Sequence, residues 1–303
     1  MGLDLLVSCI CPFLNAEPFI REAVESVLAQ HFSHWELLLI DDGSTDGSTA
    51  IAKEYAARYP GQVRYLAHPG GQNRGVSAAR NLGIAESHGR YIALLDADDV
   101  WLPPKLEQQV ALLKAHPAAA MVYGRVQLWR SWQQPQTGPD SFMSLGVEPN
   151  RLQLPPRLLA VLLRGRAQTP VPSNTLIRRA VLERVGVFPE SLRIFEDQAL
   201  FARVFLEYPV YVSGECWVRY RQHPQSASAF LSDFDRNIPH YCQTKLAFLD
   251  ELASYLLARR VRAPQIWLPL LKERWFCQRP QLLARWVRIK TAAAAARGSA
   301  EPQ

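Results

Sequence analysis

The sequence predicts an α/β fold with a mostly parallel central sheet, followed by a helical C-terminal extension. Three observations predict it. Short apolar or β-rich runs at 5–12, 36–42, 63–67, 91–96 and 119–124 alternate with helical patterns over the first 125 residues. Those runs are apolar on both faces, as strands are when helices cover a parallel sheet on both sides. From about Asn237 to about Lys290 the pattern is helical throughout, with breaks expected near Pro264, Pro269 and Pro280.

Taken in order, the first run reads as a core strand. Cys9 and Cys11 lie two apart on it and so share a face, as small core residues. A helix follows, because Ile20, Val24, Val27 and Leu28 recur at helical spacing. Further helices are expected over 49–59, 77–87 and 104–116. Residues 126–156 mix Pro, Gly, Gln and Ser without a period and read as a long loop, a feature that is often functional. Regular patterns resume at 156–163, 174–178, 180–185, 197–206 and 216–220. Residues 292–303, rich in alanine, read as a frayed tail.

At 303 residues, with 48% hydrophobic and 20% charged residues, the composition is that of a soluble globular protein. No apolar run reaches the roughly 18 residues of a membrane-spanning helix. The first residues carry no basic leader, so a cytoplasmic location is expected. Five cysteines without a CxxC support neither a disulfide framework nor a zinc knuckle. The net charge of +6 is uneven. Residues 239–303 hold 11 of the 34 Lys+Arg but 4 of the 28 Asp+Glu, so the remainder is close to neutral. A basic tail suits an anionic partner surface or a solvated helical face. No zinc-finger or RNA-recognition signature accompanies it, so nucleic acid is not expected as a partner.

The acidic residues point to chemistry. In open parallel sheets ligands bind beyond the carboxyl ends of the strands. Asp41 and Asp42 follow one strand; Asp96, Asp98 and Asp99 follow another. Five carboxylates on one rim repel unless a cation joins them, and all-oxygen donors favour Mg²⁺ or Mn²⁺. Asp41 and Asp46 also suit an Asx-turn and a helix cap.

The segment Cys9-Ile10-Cys11-Pro12-Phe13-Leu14-Asn15, with Ala23 to Gln30 behind it, resembles the opening of family 2 glycosyltransferases. So does Glu36 through Gly47, with its Ile40-Asp41-Asp42-Gly43-Ser44. Asn73-Arg74-Gly75, Ala79-Arg80-Asn81 and Gly89 through Asp99 continue the likeness, which is dense over 5–125, thinner over 170–225 and absent after about 230.

The resemblance implies a GT-A fold, with 1–125 as the nucleotide-sugar half, 126–236 as the acceptor half, and 237–291 as a basic helical extension. It implies that Asp42 reads the base, with Pro12 and Glu17 in the nucleotide pocket. Asp96 would face the ribose or a metal-bound water, and Asp98 would bind the metal directly. Arg74 and Arg80 would lie near the base or diphosphate, or be solvated surface arginines. Gly70 and Gly71 look like a phosphate loop, but no GxGxxG is present.

On the acceptor side, Glu196-Asp197 resembles the family's ED motif, whose Asp is the base in inverting members. The same residues would suit a helix N-terminus. Pro172 to Thr175 resembles the acceptor-side segment, and Tyr220 to His223 a late motif in which His223 reaches the diphosphate or metal. Gln281 and Arg285-Trp286 are one residue too far apart for the QxxRW of processive synthases, so a single-addition enzyme is expected.

The implied function is transfer of one sugar from a nucleotide diphosphate donor, UDP-linked, to a glycan or lipid-linked acceptor. The alternatives are a nucleotidyltransferase, whose Gly-rich first loop is missing, and a non-catalytic binding module. Trp267, Leu270, Leu271 and Trp275 form one stripe, and Leu282, Leu283, Trp286 and Val287 a second, beside Arg285, Arg288 and Lys290. Such stripes suit peripheral membrane contact or packing on the domain.

Overall fold

A computed structural model describes residues 7–133, 138–165, 170–226 and 234–285. The chain divides into two compact units, Met1–His223 and Pro224–Gln303.

The first unit is built on one sheet. It opens with β1 (Val7–Phe13), α1 (Ile20–Leu28), β2 (Trp35–Asp41), α2 (Ser48–Arg58) and β3 (Val63–Ala67). Then come α3 (Val76–Glu86), β4 (Tyr91–Leu94), the two-residue β5 (Val100–Trp101), α4 (Lys105–Ala115) and β6 (Met121–Trp129). The rest comprises β7 (Ser141–Phe142), β8 (Arg151–Gln153), α5 (Arg157–Leu163), β9 (Leu176–Arg178), α6 (Arg179–Val185), α7 (Glu196–Glu207) and β10 (Val210–Arg221).

The strand order is β3-β2-β1-β4-β9-β6-β10-β5, with β7 on β6 and β8 on β10. The long ladders, β1 with β2 and β4, β2 with β3, and β6 with β10, are all parallel. Antiparallel pairs are short; β9 is the wedge that joins the two parallel blocks.

Every residue of β1 and of β2 is buried, as two-sided apolar runs require. Cys9 and Cys11 face one core cluster with Leu37, Leu39, Trp101 and Trp217, and both are free thiols. Because β1, β2 and β4 are parallel, their carboxyl ends share one edge. That edge carries Asp41 as the last residue of β2, Asp42 just beyond it, and the 96–99 acids beyond β4.

One expectation about this unit's elements is corrected. The stretch 126–156 is not one long loop. β6 runs on to Trp129 in parallel register with Val218–Arg221, and β7 and β8 add short antiparallel pairs. The partner strand lies some 90 residues away, so no local period betrays the pairing. At 172–178 a 3₁₀ turn over Pro172–Asn174 precedes the strand β9.

The second unit contains α8 (Phe234–Ala258) and α9 (Pro264–Cys277). Ile238, Cys242, Cys277 and Leu283 form one buried cluster in it. The expected break at Pro269 does not occur, since α9 continues through it. Trp286, Val287, Arg288, Lys290 and the 292–303 tail lie outside the described residues.

Candidate active site

The loops after β1 and β2 are laced together. Asn15 Oδ1 accepts the Thr45 N–H at 2.8 Å, and the Asn15 and Ala16 N–H groups donate to Ser44 and Ser48 hydroxyls at 3.0 and 2.8 Å. Glu17 Oε2 accepts the Gly47 N–H at 2.9 Å, and its own N–H donates to Asp46 at 3.0 Å. Pro12 is buried in β1, in register with Ile40.

Asp41 is consumed locally. One oxygen accepts the Gly43 and Ser44 N–H groups at 3.1 and 2.8 Å, and the other accepts the Thr49 and Tyr65 hydroxyls. This is the Asx-turn reading. Asp46 likewise accepts the Ser48 N–H and hydroxyl.

Asp42 is buried at the same edge and accepts the N–H groups of Arg74 and Gly75 at 2.8 and 2.9 Å. Gly75 has φ +93°, a left-handed backbone that strains any residue with a Cβ and favours glycine. The Arg74 side chain is exposed, 3.6 Å from Glu190. Gly70 and Gly71 are exposed in a 3₁₀ turn.

Arg80 is not a solvated surface arginine. It is buried, with Nη2 at 2.6 Å from Asp96 Oδ1 and Nη1 at 2.8 Å from Glu196 Oε1. Burial works against its charge, but Asp96 and Glu196 outweigh that and hold the guanidinium above its ordinary pKa. It joins the acid cluster after β4 to the start of α7, 116 residues further on.

Asp197 stands next, in the first turn of α7, behind Phe195 in the left-handed region at φ 67°. A non-glycine residue held there is strained by roughly 1 kcal/mol. Burial, with the charge of Glu196, pushes the Asp197 carboxyl up to about 7. One Asp197 oxygen accepts the Gln198 N–H at 2.6 Å.

The other acids after β4 part company. Asp99 is fully buried and accepts the Ser173 hydroxyl at 2.5 Å and the Arg221 N–H at 3.1 Å. Burial and the charges of Asp98 and Asp96 push its carboxyl well above the usual range. It is a structural group, so the expectation that all five carboxylates serve a cation is corrected for Asp41 and Asp99.

Ser173 also accepts the Asp96 N–H at 3.0 Å and so ties two of the acids to one turn. Lys105 holds that turn from beneath, donating to Gln109 at 2.7 Å and to the Thr175 carbonyl at 3.3 Å. Burial brings its ammonium down to about 7. Ser173→Ala would leave the Asp99 carboxyl and the Asp96 N–H each short of a partner. The expected loss is about 2–3 kcal/mol in urea unfolding, with the m-value unchanged.

Asp98 Oδ2 lies 2.9 Å from Nε2 of His223, a nearly buried imidazole. Arg221 frames this pair. Its Nε donates to the Asp98 carbonyl at 2.7 Å, and its Nη2 pairs with Glu22. Its guanidinium stacks among Phe19, Trp129 and Trp132, 5.2, 4.5 and 4.8 Å from the ring centres. Phe19 also packs on the His223 ring, with centres 4.7 Å apart. Sequence reasoning named His223 but passed over Arg221 and its aromatic neighbours. The signal was there in the Trp129/Trp132 spacing and the arginine two before the histidine.

The donor set at Asp98 and His223 suits a divalent ion held in an open site. One carboxylate oxygen and one imidazole nitrogen approach each other, and among the described residues no group of three His, Cys, Asp or Glu side chains could hold an ion alone. As two protein ligands they would leave positions for other oxygen donors, which suits Mg²⁺ or Mn²⁺ better than a closed zinc site. Asp96, committed to Arg80, stands behind them.

Comparison with known proteins shows the family and the fold. EpsE of Bacillus subtilis (strain 168), named as a glycosyltransferase, is 33% identical over 204 residues, covering 66% of this chain and 67% of EpsE. The Escherichia coli UDP-Glc:alpha-D-GlcNAc-diphosphoundecaprenol beta-1,3-glucosyltransferase WfgD is 35% identical over 125 residues, 41% of this chain and 47% of WfgD. This chain therefore spans less than half the length of WfgD.

Among solved structures, S. aureus TarS 1-349 in complex with UDP-GlcNAc aligns with a TM-score of 0.58 at 20% identity, covering 83% of this chain and 71% of that one. The mannosyltransferase PcManGT of Pyrobaculum calidifontis, in complex with GDP-Man and Mn²⁺, aligns at 0.59 and 18% identity over 98% of this chain and 76% of its own. These two show the GT-A fold. The Glycosyl transferase family 2 profile matches residues 8–186, more than half of the chain, and the protein belongs to that family.

Proposed function

We propose that the chain is an inverting, metal-dependent transferase that moves one sugar from a UDP-sugar to a hydroxyl of a lipid-linked glycan. The observation that carries it is the Arg80 bridge, with Asp96 on one side and Glu196 beside Asp197 on the other. Two motifs with separate tasks, donor binding and proton removal, meet at one buried cation. A module that only binds has no use for the second. The UDP-sugar named for WfgD and the UDP-GlcNAc bound by TarS support the donor. The diphosphoundecaprenol acceptor named for WfgD supports a lipid-borne acceptor, which this reading places at the inner face of a membrane.

In this reading residues 1–125 serve the donor, 126–236 the acceptor, and 237–291 form an extension. Asp42, with Pro12, Glu17 and Arg74 around it, holds the nucleoside. Asp98 and His223 would hold the divalent ion, which when bound neutralises charge on the leaving diphosphate. Asp197 takes the proton from the acceptor hydroxyl. That oxygen attacks the anomeric carbon from the face opposite the phosphate. The sugar–phosphate bond breaks, its electron pair leaves with UDP, and the configuration inverts. Arg80 keeps Glu196 and Asp96 paired, so neither competes for the proton. The Arg221 frame orients His223 through Phe19 and Trp132.

Thermal unfolding with UDP, GDP and CDP, each with and without Mn²⁺, tests the reading. A ligand bound only by the native state raises the melting temperature. UDP with Mn²⁺ is expected to give the largest rise, and UDP-sugars with a polyprenyl-diphosphate acceptor are expected to release UDP. Equal shifts for the three nucleotides would overturn the UDP assignment, and UDP shifts indifferent to Mn²⁺ would overturn the metal role.

A further inference from the structure

α9 is apolar on two opposite faces. At 3.6 residues per turn, Ile266, Leu270 and Cys277 share one side, and all three are buried. Glu273 accepts from Tyr241, and Arg274 pairs with Asp250, so α8 accounts for the flanks. On the other side, Leu268, Leu271 and Trp275 fall within about 60° of one another. They are 67%, 51% and 45% exposed, and Leu282 beyond the helix is 45% exposed. The sequence stripes are therefore split: Leu270 and Leu283 pack inward, while Leu271, Trp275 and Leu282 point out.

A helix with a second apolar face left exposed presents that face to a partner. Here Lys272 flanks the outward face, and Arg279 lies over the Trp275 ring at 4.5 Å. The helix has one acid, Glu273, and it is turned to α8. Residues 239–303 carry 11 Lys+Arg against 4 Asp+Glu.

We propose that this outward face of α9 docks the protein on an anionic lipid bilayer, with Leu268, Leu271 and Trp275 entering the interface and Lys272 and Arg279 meeting the headgroups. Leucine and tryptophan flanked by basic side chains have the chemistry of the headgroup boundary. A second protein surface would need acids to match this charge, and the exposed side of α9 offers none for a second copy to use. The proposal deepens the lipid-linked acceptor reading, because docking confines enzyme and acceptor to one surface.

The test is co-sedimentation of the full chain with vesicles of phosphatidylcholine, with and without phosphatidylglycerol. Binding is expected only with phosphatidylglycerol, and is expected to weaken about ten-fold or more in high salt. Leu268→Ser with Leu271→Ser and Trp275→Ser should lower partitioning at least about ten-fold. The melting curve and UDP shift of that triple variant should match the parent, since the three side chains are exposed. Lys272→Gln with Arg279→Gln should weaken only the salt-sensitive part.

Undiminished binding by the triple variant overturns the proposal, as does a parent that never sediments. Self-association that Trp275→Ser abolishes, without vesicle binding, makes the occupant a second copy and also overturns it. Vesicle binding without transfer to any lipid-linked acceptor leaves docking standing and removes the acceptor reading.

Discussion

Asp197→Asn is expected to lose turnover by about 10²-fold or more while keeping affinity for UDP, the scale of general-base catalysis. The same variant is expected to be more stable than the parent at pH 8. The carboxyl's folded pKa, about 7, lies above its unfolded value. Its favourable contribution is therefore complete below the unfolded value and lost as pH rises through 7. Above that, the native state carries a charge that its burial disfavours.

Asparagine keeps the oxygen that accepts the Gln198 N–H, so the helix start is preserved. Parent and variant melting temperatures should coincide near pH 4, diverge as the pH rises from there to about 7, and stay apart by a constant amount above it. In the parent, kcat/KM should fall about ten-fold per pH unit below 7, because only the ionised carboxylate takes a proton. Loss of UDP binding in this variant, or a lower melting temperature at pH 8, would make Asp197 a cap and not a base.

Asp98→Asn carries the second large effect. Its transfer rate is expected to drop about 10³-fold, the size of one lost electrostatic stabiliser at a leaving group. The Mn²⁺-dependent part of the UDP melting shift should vanish, while the metal-free shift stays. The fold should tolerate the change at about 1 kcal/mol, because an amide oxygen can still meet His223. His223→Gln should show the same loss of Mn²⁺ dependence. An Asp98→Asn enzyme that stays fully active, or a parent indifferent to EDTA, removes the metal from the mechanism.

The two variants separate the halves of the site. Asp98 sits after β4 in a motif the sequence makes plain: three acids directly beyond an apolar run. Asp197 is equally plain as half of an acidic pair before an amphipathic helix. What joins them could not be read locally. Arg80 lies in the first turns of α3, where it looks like any exposed arginine. Only the packing of the 188–196 segment on α3, through Asn81 to Phe188 and Ser77 to Leu192, closes it off from water.

Burial then decides the chemistry. An exposed arginine is a solvated charge. A buried one must be paired, and here it takes Asp96 and Glu196 in direct ion pairs, with Asp197 next in the chain.

The sequence by itself determined the sheet's first half and its reactive edge. Period-free apolar runs can be satisfied only by burial on both faces, and the acids at their ends follow from chain order. Family membership was legible for the same reason, because its motifs are local and dense. Tertiary structure alone decided the rest. The 126–156 stretch became part of the sheet because β6 finds β10, a partner too distant for periodicity to reveal. Asp41 and Asp99 became structural because their hydrogen-bond partners, Thr49 and Tyr65, and Ser173 and Arg221, arrive from other elements. The stripe on α9 split because a helix exposes whichever apolar side its neighbour leaves uncovered, and the position of α8 sets which side that is. Local patterns fix what a residue must satisfy, and long-range packing fixes which groups satisfy it.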